Sequence, residues 1–188
     1  MWQNELPRLS GSRIELRWLT HADAPGIFSV FGDPDVIKFW SSPCLPDINA
    51  AKALIDEIQA LFAGRELFQW GVYSKELDQI VGTCTLQHVD LTHKRAEAGI
   101  ALGRASWGRG LGTEALGLLF DFAFEQLQLH RLEADIDPNN ARSLALFERL
   151  GFQREGYLRE RWHLLGEIQD SIWMGLLRRE WAARDEIS

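Results

Sequence analysis

The sequence predicts a mixed α+β fold, a central and mostly antiparallel sheet of about seven strands with helices on both faces. In the first half, apolar residues alternate with a period of two in runs joined by short polar turns, the pattern of antiparallel strands. In the second half, strand patterns alternate with helical ones, the pattern of βαβ units. Between the halves lies Trp107-Gly108-Arg109-Gly110-Leu111-Gly112-Thr113-Glu114, where glycines alternate directly after the strand pattern Ala96–Leu102 and directly before a long apolar helix.

Each element has its own signal. Met1 to Ser10 reads as an extended lead, and Ile14, Leu16 and Trp18 mark a first strand. Thr20-His21-Ala22-Asp23 has the form of a capping box, and a short helix with Ile27, Val30 and Phe31 follows. Val36 to Trp40 is expected to be helical, and Ser41 to Pro46 is a break. Asp47 opens an amphipathic helix with Ala50, Ala53, Leu54, Ile58, Leu61 and Phe62 as its stripe, and Gly64 ends it. Strands are expected at Phe68–Ser74, Ile80–Val89 and Arg95–Leu102. The helix Glu114–Leu127 is apolar on nearly every side. Leu132, Ala134 and Ile136 mark the next strand. Asp137-Pro138 then suits a helix start, Leu144, Phe147 and Leu150 face the core, and Gly151 is the stop. Two strands, Phe152–Leu164 and Ile168–Leu177, turn at Gly166, and the charged tail after Arg179 is expected either to fray or to form a short helix.

At 188 residues the chain reads as one domain, 1–188, with a core of about 10–179 between a short flexible lead and the tail. A net charge of −7 argues against nucleic acid as a partner, since such binding relies on Lys and Arg. Cys44 and Cys84 read as free thiols. No stretch has signal-peptide or membrane-spanning character, so no membrane partner is expected and the expected location is cytoplasmic. The five histidines are scattered without ligand spacing, so no metal is expected.

A strand, a glycine loop and a helix start form a place for an anion, because the first N–H groups of a helix lack internal partners and glycine lets a ligand approach. No Gly-Lys dipeptide exists for a nucleotide P-loop, and position 113 is Thr where a dinucleotide fingerprint needs Gly. A plain strand-to-helix turn stands as the other reading.

Four collinear blocks go further: Ile14–Thr20 with Asp23; Ala96–Leu102; Trp107–Ala115; and Asn140-Ala141-Arg142-Ser143 continuing to Phe147–Phe152. In these the chain resembles the GNAT N-acetyltransferase superfamily, and specifically its RimJ/RimL-like ribosomal-protein branch. The resemblance implies the GNAT fold and an acetyl-CoA-dependent transfer to an amine, with acetyl-CoA as co-substrate. The acceptor would be a peptide N-terminus or a small molecule, and a homodimer is allowed. The loop Arg109–Thr113 (Arg109, Gly110, Leu111, Gly112 and Thr113, with Trp107 and Gly108 leading in) would hold the CoA pyrophosphate through backbone N–H groups. Ile100, Ala101 and Leu102 would pair with the pantetheine arm, Gly99 would sit at a β-bulge, and Asn140 and Ser143 would lie beside the pantetheine and the sulfur. Phe147 stands where many members have a tyrosine proton donor, which moves that task to Ser143.

An amine attacks a thioester only as the free base, so a base helps. Glu97 is the candidate, the alternative being a strand residue paired with Arg95 or Lys94. Asp135 is a second, the alternative being a solvent-facing carboxylate. For Ser143 and Asn140 the alternatives are local helix-start hydrogen bonds. Trp40 either lines an acceptor cleft or only packs. The rival function from another class is a catalytically silent acyl-CoA-binding module.

Overall fold

The computed structural model describes residues 4–40, 42–164 and 166–184. The first three residues of the expected lead, Ser41 of the break and the last four of the tail lie outside these.

Eight strands form one sheet in the order β1-β2-β3-β4-β5-β6-β8-β7. They are β1 Leu9–Ser10, β2 Ile14–Arg17, β3 Leu67–Ser74, β4 Gln79–Asp90, β5 Arg95–Leu102, β6 Arg131–Ile136, β7 Gln153–Leu164 and β8 Glu167–Leu177. The strand beyond the expected seven is β1, two residues of the lead laid on β2. All neighbours are antiparallel except β5 and β6.

The helices are α1 Ala24–Phe31, α2 Pro34–Ile37, α3 Ile48–Ala63, α4 Leu111–Asp121, α5 Ala141–Arg149 and α6 Arg178–Ala183. Two buried clusters hold them to the sheet. One joins α1 and α3 to Leu19, Ile80 and Ala101. The other joins α4 and α5 to Leu16, Trp70, Phe152 and Met174. The Thr20–Asp23 capping box forms as expected and leads into α1.

Three details depart from the sequence reading. In α3 the buried stripe is Ala51, Ile55, Ile58 and Phe62, turned by about one residue, and Ala53 is exposed. The helix after the glycine loop starts at Leu111, not Glu114, and past Asp121 it widens into a π turn, Phe122–Gln126. That wider turn buries Phe122, Ala123 and Phe124 in succession, as suits a helix that is apolar on nearly every side. The lead is fixed from Leu6 on, because Leu6 is buried and Trp70 Nε1 donates to the Pro7 carbonyl. The start of the tail forms a short helix, α6, one of the two readings the sequence allowed, and its Trp181 packs on Phe120 and donates to Asp121.

Cys84 is fully buried, and burial pushes its thiol well above the ordinary range, which keeps it protonated and inert. Among the described residues no helix is long and apolar enough to cross a membrane.

Candidate active site

β5 and β6 part after three residue pairs, Arg95–Arg131, Ala96–Leu132 and Glu97–Glu133. Beyond them β5 stays on β4 as far as Leu102, while β6 stays on β8 as far as Ile136. The side of β5 that looks towards β6 therefore has no strand partner from Ala98 to Leu102, and apart from the Leu102 carbonyl, which accepts from the Trp107 indole, its backbone groups are available to a ligand. A Cβ at Gly99 would meet nothing nearer than Thr85 at 3.9 Å, so no packing demands glycine there, and its lack of a side chain leaves the cleft open. The expected bulge at Gly99 is absent. The β4–β5 register runs unbroken past it, and the irregularity lies between Gln87 and Asp90 on β4, where His88 takes φ +51°.

A cavity of about 210 Å³ fills the split, lined by Glu97, Gly99, Asp135, Asn140, Ser143 and Phe147 among others. A second, about 110 Å³, continues along Ile100, Ala101 and Leu102 to Trp107 and Leu146. Phe39, Trp40, Ile100, Asn140 and Ser143 line both, so the two are one groove.

The glycine loop stands beside the second cavity. Gly108 and Gly110 take φ +71° and +77°, the left-handed region that a glycine reaches without strain. Gly110 caps α4, and the first bond of the helix ladder is Glu114 N–H to the Gly110 carbonyl, 3.2 Å. This leaves the N–H groups of Leu111, Gly112 and Thr113 at the helix start. The Leu111 side chain is buried in the core, so only its backbone can meet a ligand. Gly112 has no left-handed backbone, unlike Gly108 and Gly110. It is helical, and a Cβ there would point at Leu146 (3.2 Å) and Leu102 (3.3 Å), inward to the groove wall.

Arg13 clamps this loop from the β1–β2 turn. Its Nη1 donates to the Arg109 carbonyl (2.8 Å), its Nε to Glu114 Oε2 (2.9 Å) and its backbone N–H to Glu114 Oε1 (2.8 Å). Burial alone pushes the Glu114 carboxyl up, but these bonds and one from the Ser12 hydroxyl outweigh it and hold it below the ordinary value.

Arg109 turns its side chain away, to Glu76 at 2.7 Å. Arg109→Ala is therefore expected to change CoA affinity less than about fivefold, the worth of a surface ion pair, as titration calorimetry would read. The Trp107 indole N–H is also committed, donating to the Leu102 carbonyl at 2.7 Å.

Glu97 lines the groove with its side chain 13% exposed, and it accepts from Gln87 Nε2 (2.7 Å) and His88 Nδ1 (3.2 Å). Arg95 instead goes to Glu133 at 3.1 Å, so the expected Arg95 alternative does not form. Asp135 is not solvent-facing: its side chain is 4% exposed and pairs with Arg161 at 3.4 Å. Asn140 is the N-cap of α5, its Oδ1 accepting the Ser143 N–H at 3.1 Å, and both residues line the groove. The cap thus falls at Asn140 rather than Asp137, which accepts from the Asn139 N–H in the preceding turn instead. Phe147, 2% exposed, packs edge-on against Phe152 and lines the groove. Trp40 lines the groove and also packs edge-on against Phe31.

Sequence reasoning missed Gln87 and His88, which orient Glu97, and Trp162, Gln169 and Asp170, which line the same cavity. Asp170 accepts from the Tyr157 hydroxyl (2.6 Å) and the Glu160 N–H (2.7 Å), which hold its carboxyl below the ordinary range. The Asp170 bond pushes the Tyr157 phenol up, so that tyrosine is a poor proton donor. Among the described residues no cluster of His, Cys, Asp and Glu could hold a metal ion.

Residues 13–153 match the family model described as the acetyltransferase (GNAT) domain. The uncharacterized N-acetyltransferase p20 of Bacillus licheniformis is 35% identical over 170 residues, 90% of this chain and 96% of its own. A Vibrio cholerae structure of a candidate ribosomal-protein-serine acetyltransferase superposes with a TM-score of 0.80 at 27% identity, covering 90% of this chain and 97% of that one. The fold is also that of a Vibrio cholerae spermidine N-acetyltransferase solved with CoA and spermine, with a TM-score of 0.79, 21% identity, and 92% and 99% of the two chains covered. The chain belongs to the GNAT acetyltransferase family, as an N-acetyltransferase of the RimJ/RimL-like branch.

Proposed function

We propose that the protein moves the acetyl group of acetyl-CoA to a primary amine, a protein N-terminal α-amine or a small-molecule amine, by direct attack on the thioester. The observation that carries this reading is the split between β5 and β6. One groove there runs from Trp107, at the entry to the glycine loop, along an unpaired strand edge, to a carboxylate and a hydroxyl on different walls.

In this reading the backbone N–H groups of Leu111 to Thr113 hold the pyrophosphate, and the edge of Ile100–Leu102 pairs with the pantetheine. Glu97 takes a proton from the incoming ammonium, directly or through a water. The amine nitrogen bonds the carbonyl carbon, the carbon–sulfur bond breaks, and the proton that the nitrogen then loses passes to the leaving thiolate, which Ser143 hydrogen-bonds or protonates while regaining that proton itself. The acceptor enters past Trp40 and Trp162. The carboxylates of Glu97, Asp135, Asp137 and Asp170 in the lining favour a positively charged amine there. The expected setting is the cytoplasm.

The test is thiol release from acetyl-CoA against a panel of amines and N-terminal peptides. Tight CoA binding without turnover across the panel would instead support the silent CoA-binding module. Ser143→Ala is expected to lower kcat at every pH while leaving CoA affinity unchanged, since the leaving-group problem does not ease as the amine deprotonates.

A further inference from the structure

Four guanidinium groups border the glycine loop or the cavity beside it, and three are committed. Arg13 goes to Glu114 (2.9 Å), Arg109 to Glu76 (2.7 Å) and Arg104 to Asp33 (2.9 Å). The fourth, Arg142, is exposed and has no carboxylate partner among the described residues. Its guanidinium carbon lies over the Trp107 ring, 3.6 Å from the centroid, a cation–π contact. Trp107 is itself fixed by its bond to the Leu102 carbonyl. A guanidinium held by a ring through cation–π attraction keeps N–H donors for an anion.

The position of Arg142 is unfavourable for its own helix. It is the second residue of α5, whose first turn has no acidic side chain. A cation at a helix N-terminus opposes the dipole. A local rule broken without local compensation points to a ligand, and Arg142 lines the cavity that ends at Trp107.

We propose that Arg142, held by Trp107, binds the pyrophosphate of CoA from the side opposite the α4 N-terminus. This rests on the CoA reading above. Trp107 is then a platform for the arginine, and the anion lies between the start of α4 and a cation on α5.

The test is titration calorimetry of wild type, Arg142→Gln and Arg142→Lys with CoA and with dephospho-CoA, at low and high salt. Circular dichroism serves as the folding control. Arg142→Gln is expected to weaken both ligands equally, roughly ten- to a hundredfold. Arg142→Lys should recover part of that loss, and the gap between wild type and Arg142→Gln should narrow as salt screens the charge. Unchanged affinity in folded Arg142→Gln overturns the proposal. So does a loss independent of salt, which marks a packing role, and so does a loss for CoA alone, which assigns the residue to the 3′-phosphate. Wild type that binds neither ligand would instead defeat the CoA reading itself.

Discussion

Glu97→Gln is expected to lower turnover by ~10²–10⁴-fold at neutral pH and to recover in part as pH rises. The amide keeps the size of the side chain and can still meet Gln87 and His88, so the groove should persist. It cannot take a proton. An α-amine, with a pKa of roughly 7.7–8.0, supplies more of its own free base as pH rises, and the defect shrinks. CoA affinity should not move. Asp135→Asn is the control, because Asp135 lines the same cavity but is held by Arg161. PH–rate profiles of the two variants decide between them. A wild-type profile for Glu97→Gln with the expected pattern in Asp135→Asn moves the base to Asp135. A wild-type profile in both means that the amine arrives neutral from solution.

Gly110→Val should abolish tight CoA binding while leaving the fold in place. Residue 110 has φ +77°, and a left-handed conformation costs an L-residue about 1–2 kcal/mol, more when it is β-branched. A Cβ there would also stand 3.2 Å from Arg13 Nη2, beside the group that ties Arg13 to the Arg109 carbonyl. Strain and the disturbed clamp act on the same few N–H groups, so at least a tenfold loss of affinity, about 1.4 kcal/mol, is expected from calorimetry. Gly112→Val should differ in kind. Its side chain pushes on Leu102 and Leu146, and its first effect should be a lower Tm with a reshaped groove wall. Equal CoA affinity in folded Gly110→Val and wild type would remove the loop from the binding site.

The sequence made the order of the strands and the glycine loop legible because those signals are local. Alternation marks a strand, and three glycines mark a loop, whatever the rest of the chain does. The errors fell where two local signals compete or where a distant partner decides. Asp137-Pro138 and Asn140 both resemble helix caps, and the N–H of Ser143 settles on Asn140. In α3, apolar residues at 50, 51, 53, 54 and 55 allow two stripes, and packing against α1 and β3 selects Ala51 and Ile55. Asp135 looked solvent-facing because its partner, Arg161, lies 26 residues away on another strand. The setting of Glu97 escaped for a similar reason. Gln87 and His88 reach it across the β4–β5 pair, beside an irregularity that no turn residue announces.

The parting of β5 from β6 also bears on solubility. An unpaired strand edge invites a second chain to add itself as a further strand. The outermost strands discourage this, β1 by being two residues long and β7 by a break in register between Leu158 and Trp162 amid Arg159, Glu160 and Arg161. The apolar edge, Ala98 to Leu102, lies instead in the middle of the sheet, in a slot between β6 and α5. A single slender molecule can enter that slot, but another protein's strand, with its own sheet behind it, cannot. Changes that let β6 swing away from β5 would open the slot, and aggregation would be their first symptom, ahead of any loss of catalysis.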